Sequence, residues 1–372
     1  MTVQPPIHQP PLDQPPAIAP PRRILLTGAS SGIGFEAARL LLQAGHALTL
    51  PCRDQSTAAA TIERLMAARS IQGPPPKLPW QPNGAPLASS GPGASQSIHA
   101  PVCDLADLAS VEHCAAELLR RGTPIDTLVL NAGLQEAGAL EPRRSAQDYE
   151  LTIAVNHLAH QALSQRLLPL LDAGSSPRVV VTASEVHDPG TAGGRVGLPA
   201  GLGNLEGLRG GAGFAMVDGQ SPFNAEKAYK DSKLCNLLFA RELARRLGLR
   251  GTPLPVLAWS PGLVIPRIEG GFFRYSRRHN PWGQRLFALV ARDLLRITAS
   301  PEQAGSLLAA LATDPEVDPG FCYGVNRLLG PGRLRFEPAE PSAEARDDRL
   351  ANALWQVSAD LVGLAAGLSP LA

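Results

Sequence analysis

Apolar and polar positions along this chain come in blocks, and the period of the pattern changes from block to block. Ile24-Leu25-Leu26 is a short continuous apolar run that predicts a buried strand. Residues 32–44 switch to a helical repeat with Ala38, Leu41 and Leu42 on the apolar side, and Gly45 stops it. The unit recurs as a strand over 47–50 and a helix over 56–69. Further strands are predicted at 98–102, 127–130, 179–182 and 256–259, and helices at 111–119, 153–171 and 225–247. Strands alternating with helices predict an α/β fold, a doubly wound parallel sheet of Rossmann type with helices on both faces. One domain over residues 22–372 is expected, with a loop excursion at 185–224 and another at 263–299.

Two stretches break the pattern. Residues 1–21 are proline-rich and carry no apolar signal core, which predicts a disordered tail rather than a secretory signal. Residues 72–97 are dense in Pro, Gly and Ser and predict a disordered insertion on the rim of the domain.

Composition narrows the function. A hydrophobic share of 44% in 372 residues is enough for a full core. The balance of 34 Lys+Arg against 33 Asp+Glu argues against nucleic acid as a partner. No apolar run reaches the roughly 18 residues that span a bilayer. Cys52, Cys103, Cys114, Cys235 and Cys322 are scattered without ligand spacing, so reduced thiols and no metal site are expected. A cytoplasmic location follows from this reading.

The candidate chemistry sits at strand ends. Thr27-Gly28-Ala29-Ser30-Ser31-Gly32-Ile33-Gly34 joins the first strand to the first helix. Glycines there let the backbone turn tightly against a pyrophosphate, and the helix start offers free N–H groups and a partial positive charge. Cys52-Arg53-Asp54 follows the second strand, where an acidic residue would hold the ribose hydroxyls of NAD. The first charged residue here is Arg53, whose guanidinium suits a 2′-phosphate, so NADPH is the expected cofactor. Tyr229 and Lys233 stand at i and i+4 and share a helix face. A nearby ammonium favours the phenolate, which would let the tyrosine serve as acid in reduction and base in oxidation. Ser184 ends the strand over 179–182, with Thr182 one layer deeper on the same side.

The Gly28-x3-Gly32-x-Gly34 spacing, with Asn131-Ala132-Gly133, Asn156, Ser184 and Tyr229-x3-Lys233 behind it in order, resembles the short-chain dehydrogenase/reductase family. The resemblance runs from about residue 22 to the C-terminus. It implies that Asp104-Leu105 hold the adenine and Asn131-Ala132-Gly133 the ribose. It also implies that Asn156 organises a proton-relay water beside Lys233, and that Pro261-Gly262 close on the nicotinamide carboxamide.

The long insertion between Ser184 and Tyr229 resembles one branch of that family, the light-dependent protochlorophyllide reductases. So do Met216-Val217-Asp218-Gly219, Tyr229-Lys230-Asp231-Ser232-Lys233-Leu234-Cys235-Asn236, Val155-Asn156-His157-Leu158 and Trp355-Gln356-Val357-Ser358. That resemblance implies hydride transfer from NADPH, and a proton from Tyr229, to a porphyrin-ring C=C bond. It also implies a bulky apolar substrate, chlorophyll synthesis as the setting, and a place on a photosynthetic membrane. Leu263 follows Gly262 where that branch carries a cysteine, and the run after Ser184, Glu185-Val186-His187-Asp188-Pro189, differs as well. His187 reads as a surface loop residue.

Two other readings stay open: a light-independent carbonyl or alcohol oxidoreductase resembling retinol dehydrogenases, and a non-catalytic NADPH-binding sensor or scaffold. Arg267, Arg274, Arg277, Arg278, Arg285, Arg292 and Arg296 interleave with Phe272, Phe273, Trp282, Leu286 and Phe287. This stretch reads as a substrate lid whose aromatics cover the pocket, and it allows peripheral membrane contact. A homo-oligomer is compatible with all of these readings.

Overall fold

Short apolar strands with helices between them must bury two faces, and in the computed structural model they do. Residues 21–69, 98–265, 275–279, 289, 298–314, 317–330 and 332–368 are described. The expected tail over 1–21, the insertion over 72–97 and most of the lid over 263–299 lie outside these residues, bar Pro21 itself and a few lid positions. The strands are β1 (Arg23–Leu26), β2 (Ala47–Thr49), β3 (Ile98–His99), β4 (Thr127–Leu130), β5 (Arg178–Thr182), β6 (Pro255–Ser260), β7 (Gly320–Gly330) and β8 (Arg333–Pro338). They form one sheet in the order β3-β2-β1-β4-β5-β6-β7-β8. Neighbours are parallel except β7 and β8. The chain leaves β1 in one direction for β2 and β3, then returns to β4 on the other side. That switch point opens a crevice at the carboxyl ends of β1 and β4, where such sheets bind ligands.

The helices are α1 (Gly32–Gln43), α2 (Gln55–Arg69), α3 (Leu108–Arg121), α4 (Leu151–Ile153), α5 (Ala159–Arg166), α6 (Leu168–Asp172), α7 (Glu206–Gly210), α8 (Ala225–Leu249), α9 (Ser276–His279), α10 (Pro301–Thr313) and α11 (Asp348–Leu361). Successive strand residues point to opposite faces, so each strand feeds two cores. Leu25, Leu128, Leu130, Val179 and Val181 join the core under α3, α5, α8 and α11. Ile24, Leu26, Val129 and Val180 join the one under α1 and α10. With both faces covered, the strands read as unbroken apolar runs rather than alternating ones.

Several predicted elements change. The strand over 98–102 shortens to Ile98–His99, with one further bridge between Cys52 and Val102. The single helix over 153–171 is in fact broken. A π turn, Ala154–Leu158, interrupts it around Asn156, and a second break at Leu167 precedes Pro169, whose ring cannot sit in an uninterrupted helix. The excursion over 185–224 contains a 3-10 turn, Glu185–His187, as well as α7. Strands β7 and β8 and helix α10 were not predicted.

Candidate active site

The glycine turn between β1 and α1 is dictated by contact. A Cβ on Gly28 (φ +76°) would stand 2.8 Å from Ala132 Cα, and one on Gly34 would overlap the Gly28 carbonyl oxygen. These two glycines therefore let the β1–α1 turn lie against Asn131-Ala132. Gly32 (φ +57°) is different: nothing among the described residues lies within 4 Å of its Cβ position. Its need is conformational, and the space over it is open. Ser31 caps α1 without a side-chain hydrogen bond, so the N–H groups of the first turn are left for an outside acceptor.

Thr27 ties this turn to the next one. Its hydroxyl accepts from the backbone N–H groups of Asn131 (2.9 Å) and Ala132 (3.0 Å) and faces His160 Nε2 at 3.0 Å. His160 Nδ1 lies 3.1 Å from the Asn156 carbonyl oxygen, which can only accept. The proton therefore sits on Nδ1, and Nε2 accepts from Thr27. Burial lowers the imidazole to about 4, which keeps it neutral in this role.

Asn156 closes the same layer. Its side chain accepts from Leu134 N (2.9 Å) and donates to Leu134 O (3.0 Å) and Ser232 Oγ (3.0 Å). It thereby ties the strand-end loop after Gly133 to α8. A Cβ on Gly133 would lie 3.3 Å from Asn156 Oδ1 and 3.7 Å from Lys233 Nζ, so these three residues meet at one point.

Lys233 is buried at 2% exposure and donates to the Thr182 carbonyl oxygen at 3.0 Å, which Asn236 Nδ2 also reaches at 3.2 Å. Burial lowers the ammonium to about 8. Its nitrogen lies 5.6 Å from the centre of the Tyr229 ring. Tyr229 is half-buried and is hydrogen-bonded to Ser184 through their side chains. Burial raises the phenol well above its ordinary range, and the bond to Ser184 offsets only part of that. Desolvation and the bond to Ser184 thus act on the phenol in opposite directions, with desolvation the larger. Thr182 accepts from Trp259 Nε1 (3.0 Å) and bonds Asn131 Oδ1 (3.2 Å), which leaves Ser184 as the hydroxyl facing the tyrosine.

His187 corrects another expectation. It is buried rather than on the surface, with Nδ1 2.7 Å from the Ser184 carbonyl oxygen and Nε2 accepting from Ser342 N at 3.2 Å. It steadies the backbone that carries Ser184. Asn326, on β7, holds the late loop: its Nδ2 donates to Pro261 O at 3.2 Å, and Gly262 (φ +76°) passes close to its carbonyl.

The intervening residues of the Tyr229–Lys233 string fasten the insertion. Lys230 donates to the carbonyls of Gly194 (3.0 Å), Val196 (2.5 Å) and Leu198 (2.8 Å). Asp231 accepts from Gly201 N (3.0 Å) and from Lys227 Nζ (2.7 Å), and Lys227 also pairs with Asp218 at 3.1 Å. The two carboxylates hold the Lys227 ammonium above the usual lysine range despite its burial. The loop Met216-Val217-Asp218-Gly219 then lies on Gly207, where a Cβ would overlap the Met216 carbonyl oxygen.

Beyond β3, Asp104 Oδ1 accepts from Ala106 N at 3.0 Å and Leu105 packs at the edge of the core. Arg53 is exposed and paired with Asp54 at 3.1 Å, while Asp54 caps α2 through Thr57 N at 2.7 Å. Sequence reasoning missed His160, Ser232, Asn236, Asn326 and the fastening lysines. Only the Lys227–Asp231 spacing of four on one helix offered a signal.

Residues 82–196 match the short chain dehydrogenase family model. The chain is 33% identical to protochlorophyllide reductase A of Oryza sativa over 348 residues, covering 92% of this chain and 80% of that protein. It is 32% identical to protochlorophyllide reductase of Avena sativa, covering 92% of this chain and all of that one, 100%. A solved structure of an uncharacterized protein from Mycobacterium paratuberculosis superposes with a TM-score of 0.62 at 24% identity, over 95% of this chain and 98% of that one. The glycine turn, the Asn131 strand end and the Ser184–Tyr229–Lys233 cluster thus occur on a sheet of the matching architecture, and the chain belongs to the short-chain dehydrogenase/reductase family.

Proposed function

We propose that this chain is an NADPH-dependent oxidoreductase that reduces a porphyrin-ring C=C bond of protochlorophyllide in the light. The observation that carries the reading is the meeting of Tyr229, Ser184 and Lys233 at the sheet edge, beside an insertion that α8 itself fastens. The identity to proteins named protochlorophyllide reductase along 92% of the chain supports the substrate.

The residues present fit the cofactor. The cradle of Gly28, Ser30, Ser31, Gly32, Ile33 and Gly34 would hold the pyrophosphate, and Asp104 and Leu105 would flank the adenine. Asn131, Ala132, Gly133 and Lys233 would hold the nicotinamide ribose, and Pro261 and Gly262 would close on the carboxamide. When bound, NADPH supplies a hydride to one carbon of the reacting bond.

Tyr229 supplies the proton to the other carbon. A phenol is protonated at neutrality, so the acid is present before the substrate arrives. Ser184 holds the phenol oxygen in line, and His187 fixes the carbonyl behind Ser184. Lys233 has three donors and gives one to Thr182, which leaves N–H groups for the ribose and for the phenolate formed on proton transfer. Asn156 holds the loop that walls this corner.

A second reading, light-independent reduction of a carbonyl on a bulky apolar molecule, is favoured by Leu263, which stands exposed beside Gly262. There Ser184 and Tyr229 would grip the carbonyl oxygen together. Absorption spectra of the protein with NADPH and protochlorophyllide, before and after illumination, separate the two. Product only after light is expected. Tyr229→Phe should lower turnover by about 10²–10⁴-fold with NADPH affinity retained. Carbonyl turnover in darkness without pigment binding would give the site to the second reading.

A further inference from the structure

The phosphate turn carries no cation of its own: residues 27–34 contain no lysine or arginine. Positive charge for a ligand phosphate must come from a neighbouring element. Arg53, the residue that the sequence singles out, spends part of its guanidinium on Asp54. A different arginine reaches the turn. Arg64, ten residues into α2, places its guanidinium 4.1 Å from the centre of the Phe35 ring and donates Nη1 to the Ser30 carbonyl oxygen at 2.8 Å. No carboxylate pairs with it among the described residues.

The ring contact and the Ser30 bond hold the guanidinium, carried on the helix that follows β2, against the β1–α1 turn. In a sheet of this order the 2′ position of the adenosine ribose lies between the end of β2 and the β1–α1 turn. We infer that Arg64 is the principal 2′-phosphate residue of this chain and the main determinant of its preference for NADPH over NADH, with Arg53 as the weaker partner. The inference rests on the NADPH reading above and names the group that enforces it. A guanidinium presents five donors in a planar fork; one is used on Ser30, and the others are left for bidentate contact with a phosphate.

The test is equilibrium binding of NADPH, NADH and 2′,5′-ADP to the full-length protein and to Arg64→Gln, Arg64→Lys and Arg53→Gln. Arg64→Gln should weaken NADPH and 2′,5′-ADP by about tenfold or more and leave NADH within about twofold, as loss of a charge-assisted bond requires. Arg64→Lys should recover part of that loss, and Arg53→Gln should cost less than Arg64→Gln. Equal weakening of NADPH and NADH by Arg64→Gln would show that Arg64 only braces the turn. An NADPH loss confined to Arg53→Gln would return the role to Arg53. Either result overturns the inference while NADPH binding by the wild type stands. Wild-type protein that binds neither nucleotide overturns the cofactor reading and the inference with it.

Discussion

The two halves of the crevice are built from different materials. The cofactor half, around β1, α1 and the end of β4, is shaped by backbone: glycines at 28 and 34 let two turns touch, and a single threonine hydroxyl pins them. The half proposed to take the substrate, around α8 and the insertion, is held by buried charge: Lys230 on three carbonyls, and Lys227 between Asp218 and Asp231. A backbone turn is marked in the sequence by a few closely spaced glycines. A charged clamp needs partners tens of positions away. The first kind of construction tolerates no added atom; the second tolerates no lost one.

The steric half should break hardest. In Gly34→Ala the new methyl group would overlap the Gly28 carbonyl oxygen, and the obstacle is backbone rather than a side chain that can rotate. Either α1 tilts or the turn opens, at a cost of about 3 kcal/mol or more. Denaturant unfolding should show that loss, and cofactor binding should fall with it. Gly32→Ala is the sharper control, since its Cβ position is open. It should lose only the smaller cost of a positive φ, about 1 kcal/mol. If the two substitutions cost the same, contact is not what selects these glycines.

The charged half should fail locally. Lys230→Met leaves the carbonyls of Gly194, Val196 and Leu198 without their shared donor. Bonds to a charged group contribute about 1.5–3 kcal/mol, and these carbonyls can turn to water only if the loop lifts. Amide hydrogen exchange should therefore rise within 190–201 while β1, β4 and α1 keep their protection. KM for the substrate should rise more than cofactor affinity falls. A uniform loss of protection would show that the insertion and the sheet unfold as one unit, and the division drawn here would be wrong.

The same division explains what was legible in the sequence. The strands β1, β4, β5 and β6 read correctly because both faces are buried and each holds a run of three or more apolar residues. The glycine turn was legible from its spacing between a strand and a helix, although Gly28 and Gly34 also answer to Asn131 and Ala132, far along the chain. The break in the helix around Asn156 was invisible: Ala154-Val155-Asn156-His157-Leu158 has ordinary helical periodicity, and the π turn answers to tertiary partners such as Leu134, Ser232 and Ser358. His187 read as a surface residue because its loop is polar, yet its partner Ser342 comes from 155 positions away. Strands β7 and β8 were missed because they form an edge hairpin with charges such as the exposed Arg327 and Arg335 and their partner Glu337, instead of an apolar run.

Lys233 stands where the halves meet, and it should show stability traded for function. Burial lowers its pKa to about 8 from an ordinary 10.5, so the folded state pays to keep the ammonium in place. Below about pH 8 both folded and unfolded chains carry the proton, and the cost is fully present. Between about 8 and 10.5 the unfolded chain binds more protons than the folded one, so wild-type stability from this group rises with pH. Lys233→Met removes the charge, and the Thr182 carbonyl keeps its bond from Asn236. The variant should therefore be more stable than wild type at neutral pH by about 2 kcal/mol, the burial cost less one hydrogen bond. That advantage should shrink as pH rises toward 10.5, while turnover is lost at every pH. Unfolding curves across this pH range measure it. A variant less stable than wild type at neutral pH would mean that the ammonium is already compensated in the folded protein, and that the corner shared by Gly133, Asn156 and Tyr229 is not held in wait for a bound ribose.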